Sequence, residues 1–255
     1  MGIDATGIGW DADVGFEIST HYPLPILPMG KFMTHGKKNP WVFVGSPWVP
    51  TTKAYADAAA LLAAADPLFA QGKEAVLVAH SYGGIPACVA TRGNGVKERA
   101  AARKPGGFRH IVFMSAFAAP TTGLSLLMML PGGQLLPWEK IIERDDGGKQ
   151  VFVHEAARDA FYNDFSAEKA QEYLDALVPQ SYEATVQPID FAVPDVAIPK
   201  TYIVCEADNA LPPAWQHHAA DILGMEKHSV SGGHSAFASV PGEVVDVLIK
   251  IIEGN

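Results

Sequence analysis

The sequence has little cysteine, little positive charge and no long apolar run. Its 2 cysteines provide no disulfide framework, and a chain of 255 residues is long enough to bury a stable core without one. Lysine and arginine number 19 against 28 acidic residues, so the positive face that a nucleic-acid backbone requires is missing. The longest apolar stretch near a predicted strand, residues 111–119, is too short to span a bilayer. We therefore expect neither a nucleic-acid partner nor a membrane partner.

What remains is globular composition, with 48% hydrophobic and 18% charged residues. The first four residues lack the basic start and apolar core of a signal peptide, which together with the few cysteines predicts a cytoplasmic protein. The length suits an open α/β sheet, so we expect one domain over 1–255. Residues 1–40 form an atypical N-terminal segment without a clear period. The oligomeric state is left open, with a homodimer among the options.

Short apolar runs alternate with longer alanine-rich segments, which is the pattern of βα units that build a parallel sheet. The runs are mostly apolar on both faces, as expected of strands covered on both sides. The predicted strands are Trp41–Gly45, Ala75–His80, His110–Ser115, Lys200–Glu206 and Lys227–Val230. The predicted helices among them are Thr52–Gly72, Gly84–Ala90 and Val96–Arg103. This order predicts the α/β class, with a doubly wound, mostly parallel sheet.

The strand signal fades between residues 119 and 199, where we predict an inserted helical cap over one end of the sheet. Two amphipathic helices are expected there, Ala156–Phe165 and Ala167–Val178, with Ser166 as the N-cap of the second. The alternative is ordinary helical packing on the sheet faces.

The strongest local signal is the segment VLVAHSYGG, in which an apolar strand ends at Ser81 and a helix follows at once. Small residues, Ala79 and Gly83, stand two positions before and two after the serine, as a tight strand-to-helix turn demands. Such a nucleophile elbow lifts the Ser81 hydroxyl clear of the sheet and directs the Tyr82 amide to the place where an oxyanion would form. His80 either lines the pocket or packs in the interior.

A serine nucleophile needs a histidine base oriented by a carboxylate, and in the hydrolase order these follow as serine, acid and histidine. His234 stands in the loop SGGHS, after the last predicted strand and before the closing helix. The other histidines after Ser81 lie in strands or in or beside polar helical stretches. Asp208 is favoured as the acid because it lies deeper in the loop after the preceding strand, with Glu206 at the strand end as the alternative.

Five segments carry a resemblance to a known family: LVAHSYGG at 77–84, FYNDF at 161–165, VPQS at 178–181, TYIVCEAD at 201–208 and GHSAF at 233–237. In order and spacing they resemble small single-domain α/β-hydrolases of fungi and bacteria, relatives of the plant methylesterase and hydroxynitrile lyase group. The resemblance covers residues 50–253. It implies a triad of Ser81, Asp208 and His234, a helical cap over the site, no metal or other cofactor, and hydrolysis of small ester-like substrates.

Two features depart from that family pattern. The family takes a second oxyanion-hole amide from a turn after an early strand. Only one helix fits between Trp41–Gly45 and Ser81, so we expect that strand before residue 41, where residues 28–32 match poorly. Without the second amide, about 3 kcal/mol of transition-state stabilisation would be missing. Lyase members carry a lysine after the catalytic histidine, whereas this chain has Ser235, so cyanohydrin cleavage is disfavoured.

The leading hypothesis is a serine hydrolase that cleaves a small, apolar, uncharged carboxylic ester, lactone or thioester through an acyl-enzyme. Trp138, Met128 and Met129 are candidate substrate-binding residues, although the methionine pair is equally suited to filling the cap core. The irregular first 40 residues favour an alternative, a ligand-binding or accessory protein that keeps a hydrolase scaffold without full turnover. A third hypothesis is that residues 1–40 descend from an altered gene start and that the rest is an ordinary hydrolase.

Overall fold

The computed structural model describes residues 31–35, 39–44 and 54–253. Its strands are β1 (Lys31–His35), β2 (Asn39–Val44), β3 (Glu74–Ser81), β4 (Gly107–Ala116), β5 (Glu139–Glu143), β6 (Lys149–Val153), β7 (Gln180–Ser181), β8 (Lys200–Cys205) and β9 (Glu226–Val230). Its α-helices are α1 (Ala54–Ala70), α2 (Gly84–Ala90), α3 (Val96–Ala101), α4 (Leu126–Met129), α5 (Arg158–Phe161), α6 (Ala167–Asp175), α7 (Tyr182–Val186), α8 (Pro213–Ile222), α9 (Ala236–Ser239) and α10 (Pro241–Glu253). Most of the N-terminal segment 1–40 lies outside the described residues.

The main sheet has the strand order β1-β2-β3-β4-β8-β9. All neighbours from β2 to β9 pair in parallel, and only β1 is antiparallel to its neighbour. Each of the five predicted strands corresponds to one of these parallel strands, with ends that agree within three residues. The predicted α/β class is therefore confirmed.

Apolar side chains cover both faces of the central strands β3, β4 and β8, which explains why these strands lack the polar alternation of a half-exposed sheet. On one face, Leu77 and Ala79 of β3 belong to the larger core, which is shared with helices α1 and α2. On the other face, Val76 and Val78 pack in a smaller core with helix α10. Among the described residues, no helix is both long enough and apolar enough to cross a bilayer.

The strand beside the nucleophile strand is β2, not an earlier one. Its pairing with β3 is parallel and sets Val44 opposite Ala79, so the carboxyl end of β2 lies next to the end of β3 that carries Ser81. β1 is separated from β3 by β2 and runs antiparallel. A strand before residue 41 is thus present, as expected, but it pairs beside β2 and not beside the nucleophile strand β3. Residues 45–53, which follow β2, lie outside the described residues, and the second oxyanion donor stays unassigned.

Residues 119–199, which we call the cap segment, connect β4 to β8 and contain short helices, as predicted, together with a small antiparallel sheet of order β5-β6-β7 that was not predicted. Helix α6 begins directly after Ser166, whose hydroxyl accepts a hydrogen bond from the Lys169 amide at 3.3 Å and so confirms the predicted N-cap. The helix expected over Ala156–Phe165 is shorter, a 3-10 turn at Glu155–Ala157 followed by α5.

Candidate active site

Ser81 stands at the last position of β3 in the left-handed region, with φ 53°, and helix α2 begins three residues later at Gly84. A non-glycine residue in this region is strained, which is the expected state of a serine in a nucleophile elbow. The turn is closed by a hydrogen bond from the Gly83 amide to the His80 carbonyl at 2.8 Å. Gly84 is required because a Cβ there would lie 2.2 Å from the Phe117 carbonyl oxygen.

The Tyr82 side chain fixes the elbow from within the core. It is 2% exposed, and its hydroxyl donates a hydrogen bond of 2.8 Å to Oδ2 of Asp57 on helix α1. Burial and the neighbouring Asp57 carboxylate raise the pKa of Tyr82 well above its ordinary value, so the hydroxyl stays a donor. The side chain thus serves as an anchor, and only the main-chain amide of Tyr82 is a candidate for the oxyanion hole.

Three polar side chains meet at the carboxyl ends of three parallel strands, where loops of an open α/β sheet usually converge on a site. Ser81 Oγ lies 3.1 Å from His234 Nε2, and His234 Nδ1 lies 3.0 Å from Asp208 Oδ2. His234 and Asp208 follow strands β9 and β8, and their side chains are 6% and 0% exposed. The structure thus brings together the three residues that the sequence predicted for catalysis.

Asp208 is held as a carboxylate by a dense set of donors. Its Oδ1 accepts hydrogen bonds from the amides of Ala210 at 2.8 Å and Leu211 at 2.9 Å, and its Oδ2 accepts one from Gln216 at 2.9 Å. Burial alone would raise the pKa of Asp208, but the interaction with His234 and the hydrogen bonds outweigh it and lower the pKa. The carboxylate is therefore ionised where it faces the imidazole.

Glu206, the alternative acid, makes its contacts on the surface and not with His234. Its side chain is 43% exposed and accepts hydrogen bonds from Ser229 at 2.6 Å and His217 at 3.2 Å on the surface. Gln216 was missed by sequence reasoning, because a glutamine in a helix gives no signal of its own. In the structure it is fully buried and joins the Cys205 amide to the Asp208 carboxylate.

Ser115 is a second polar residue that the sequence did not single out. The pairing of β3 with β4 sets His80 opposite Met114 and then Ser81 opposite Ala116, so Ser115 is the extra residue of a β-bulge. It has φ 42° and is fully buried. Bulges re-aim side chains next to active sites. Here the Ser115 hydroxyl donates to Asp208 Oδ2 and lies 3.0 Å from His234 Nδ1.

His80 packs in the interior beneath the base rather than standing free in a cavity. Its ring is 6% exposed, and Nε2 lies 2.8 Å from the His234 carbonyl oxygen. Burial and the neighbouring His234 lower the pKa of His80 to about 3, so the ring is neutral and Nε2 carries the donated proton. Its other neighbour is Phe237, edge-on at 5.0 Å between centroids. These contacts favour the interior alternative for His80.

Aromatic rings of the cap segment lie over the base. Phe161 stacks on the His234 ring at 5.2 Å between centroids, and Trp138 meets Phe161 edge-on at 6.3 Å. Among the described residues, the buried Nε1 of Trp138 has no hydrogen-bond partner. Met129 packs against the larger core, whereas Met128 is 56% exposed. Substrate contacts by Trp138, Met128 and Met129 stay predictions.

A parallel sheet with a strained serine between strand and helix, and a histidine and an aspartate from later strands, defines the class of α/β-fold hydrolases. Residues 32–247 match the model of the alpha/beta hydrolase family, and the chain belongs to that family. The enzyme class predicted from the sequence, a hydrolase with this fold, is thereby confirmed.

Individual relatives are distant. "Probable hydrolase R7" of Phoma sp. is 29% identical over 209 residues, covering 80% of this chain and 80% of that protein. An extracellular α/β-hydrolase from a Paenibacillus species superposes with a TM-score of 0.61 at 20% identity, covering 81% of this chain and 82% of the other. The methylesterase MES16 of Arabidopsis superposes with a TM-score of 0.54 at 17% identity, covering 86% and 100%. These two superpositions show a shared fold.

Proposed function

We propose that this hydrolase is a serine esterase that cleaves a small, apolar, uncharged carboxylic ester, lactone or thioester. Ser81 Oγ attacks the acyl carbon while His234 Nε2 accepts its proton, giving a tetrahedral intermediate. His234 then gives this proton to the leaving oxygen or sulfur as the carbon–leaving-group bond breaks, which leaves an acyl-enzyme on Ser81. Water repeats the sequence and releases the acid. The observation that carries the proposal is the continuous row Ser81–His234–Asp208, with contacts of 3.1 and 3.0 Å.

Each neighbour of the row has a role that follows from its position. Asp208 accepts the Nδ1–H of His234 and stabilises the imidazolium that forms during proton transfer. The Tyr82 amide follows the nucleophile directly and is the proposed first donor to the oxyanion. The row of rings from His234 through Phe161 to Trp138 supports an apolar substrate. The name of the structural neighbour MES16, a methylesterase, agrees with ester cleavage.

Labelling with a fluorophosphonate and hydrolysis of short-chain nitrophenyl esters test the proposal together. We expect a covalent adduct on Ser81 by peptide mass spectrometry, and a loss of turnover by up to about 10⁶-fold in Ser81→Ala and His234→Ala. Ser229→Ala removes an exposed hydroxyl that bonds Glu206 and should match the wild type. Native protein that is neither labelled nor active on any ester, lactone or thioester offered would contradict the proposal.

The alternative, a binding protein on a hydrolase scaffold, makes a different prediction in the same assays. An ester would then raise the unfolding temperature without release of product, and Ser81→Ala would bind it equally well.

The cytoplasmic setting, the absence of nucleic-acid and membrane partners and the single-domain organisation stay predictions from composition and length.

A further inference from the structure

One short stretch of the cap segment, residues 159–164, contacts both of the loops that carry the proposed acid and base. We call it the clasp. Its apolar side chains Phe161 and Tyr162 pack in the core of the cap segment, together with the following Phe165. Its polar residues Asn163 and Asp164 are exposed and face the loops after β8 and β9. The FYNDF motif thus alternates between anchoring the stretch in the cap and contacting the catalytic loops.

The clasp binds the acid loop on both sides of Asp208. Asn163 Nδ2 donates a hydrogen bond of 2.8 Å to the carbonyl of Ala207, the residue before the acid. The side chain of Asn209, the residue after it, donates one of 3.0 Å to the carbonyl of Asp159. The loop that carries the carboxylate is therefore held through the main chain of the residue before Asp208 and the side chain of the residue after it.

The same stretch binds the base loop next to His234. Oδ2 of Asp164 accepts hydrogen bonds from the Gly233 amide at 2.6 Å and from the Ser239 hydroxyl at 2.5 Å. The approach is so close that a Cβ on Gly233 would lie 2.4 Å from Asn163 Oδ1. Two contacts on one carboxylate thus fix the entry to the base loop and the end of the short helix α9 that follows it.

Adjacent side chains of one stretch therefore link two loops that leave the sheet from different strands. We propose that Asn163 and Asp164 are positioning residues that set the distance between Asp208 and His234. Both side chains are exposed and bury little apolar surface, so their removal should change the alignment of the loops more than the free energy of unfolding. Catalysis is sensitive to such alignment, since displacements near 1 Å at reacting groups cost up to about 10²-fold in rate. The inference rests on the proposed function of the Ser81–His234–Asp208 row.

The test compares Asp164→Ala and Asn163→Ala with two further variants. Asp164→Asn keeps an oxygen that can accept from the Gly233 amide. Asp175→Ala removes an exposed carboxylate of α6 that bonds Gln171 in the same cap segment. Three measurements are made on each: kcat and KM for a nitrophenyl ester, the urea unfolding midpoint, and the far-downfield proton resonance of the His234 Nδ1–H. The resonance needs no substrate.

We expect both alanine variants of the clasp to lower kcat about tenfold, to leave KM within about twofold, and to shift or broaden the resonance. Asp164→Asn should recover most of the loss, and Asp175→Ala should match the wild type. The proposal is overturned if Asp164→Ala behaves like Asp175→Ala in kcat and in the resonance. It is also overturned if the loss follows a lower unfolding midpoint and Asp164→Asn does not restore it. A wild type without Ser81-dependent turnover would refute the proposed function, and the resonance alone would then decide whether the clasp holds the pair.

Discussion

Replacing His80 by glutamine should make the fold less sensitive to mild acid. The buried ring has a pKa of about 3 in the folded protein, against about 6.5 for a histidine in an unfolded chain. Between these values the unfolded state binds more protons, so stability falls as the pH falls below 6.5. From pH 7.5 to pH 5 this single group costs about 2 kcal/mol of unfolding free energy. Glutamine carries no titrating group, and its amide can still donate to the His234 carbonyl.

The assay is urea unfolding at pH 7.5 and pH 5, with the drop in unfolding free energy compared between variants. His110 provides an internal comparison, since burial and the charge of Arg109 lower its pKa to about 4 and give it a drop of the same sign and of about 2 kcal/mol. His80→Gln and His110→Gln should each reduce the drop in unfolding free energy between pH 7.5 and pH 5 by the contribution of that histidine. The double variant should lose both contributions. A drop that is unchanged in His80→Gln would refute the conclusion that the ring is kept neutral beneath the base.

Two further substitutions test the frame of the site. Ser115→Ala should lower kcat about tenfold, because it removes one hydrogen bond to an ionised carboxylate. Ser115→Gly relieves the positive φ but also lacks the hydroxyl. An equal loss of kcat in both variants would show that the hydroxyl, and not the backbone strain, is responsible. A wild-type kcat in either variant would contradict a role of the Ser115 hydroxyl in catalysis. Gly84→Ala should lower the unfolding free energy by about 3 kcal/mol or more, because its Cβ would overlap the Phe117 carbonyl. Gly242→Ala, with open space around the new methyl, should be neutral or mildly stabilising in urea unfolding.

Local chemistry explains what the sequence predicted correctly. The central strands β3, β4 and β8 were visible because they are apolar on both faces, and the elbow was visible because strand, small residues and serine are contiguous. Chain order then indicated Asp208 and His234 as partners of Ser81; the structure brings the three side chains together, and their catalytic roles stay predictions. Each apolar run and the elbow motif can be recognised from a few consecutive residues, and the choice of acid and base depends only on their order in the chain.

The features that were missed depend on pairing between distant segments. Ser115 reaches the acid only because of the bulge between β3 and β4, and nothing in its own neighbourhood marks a bulge. In the cap segment, β7 is two residues long, and its Ser181 pairs with Gln150 of β6, which lies 31 residues earlier, so no alternating run indicates this strand. The place of β2 beside β3 likewise depends on the pairing of two strands that are separated in the sequence by helix α1.

The clasp has a consequence for chimeric enzymes. Specificity in such folds is often altered by exchanging the insertion above the sheet while the framework beneath is retained. In this chain an exchange of the cap segment would also affect the catalytic loops, because residues 159–164 hydrogen-bond to Ala207 and Gly233 in those loops. A cap segment taken from another enzyme would need to bring a side-chain amide to the Ala207 carbonyl and a carboxylate to the Gly233 amide. Without both contacts, the exchange would change the alignment of Asp208 and His234 although neither residue is replaced.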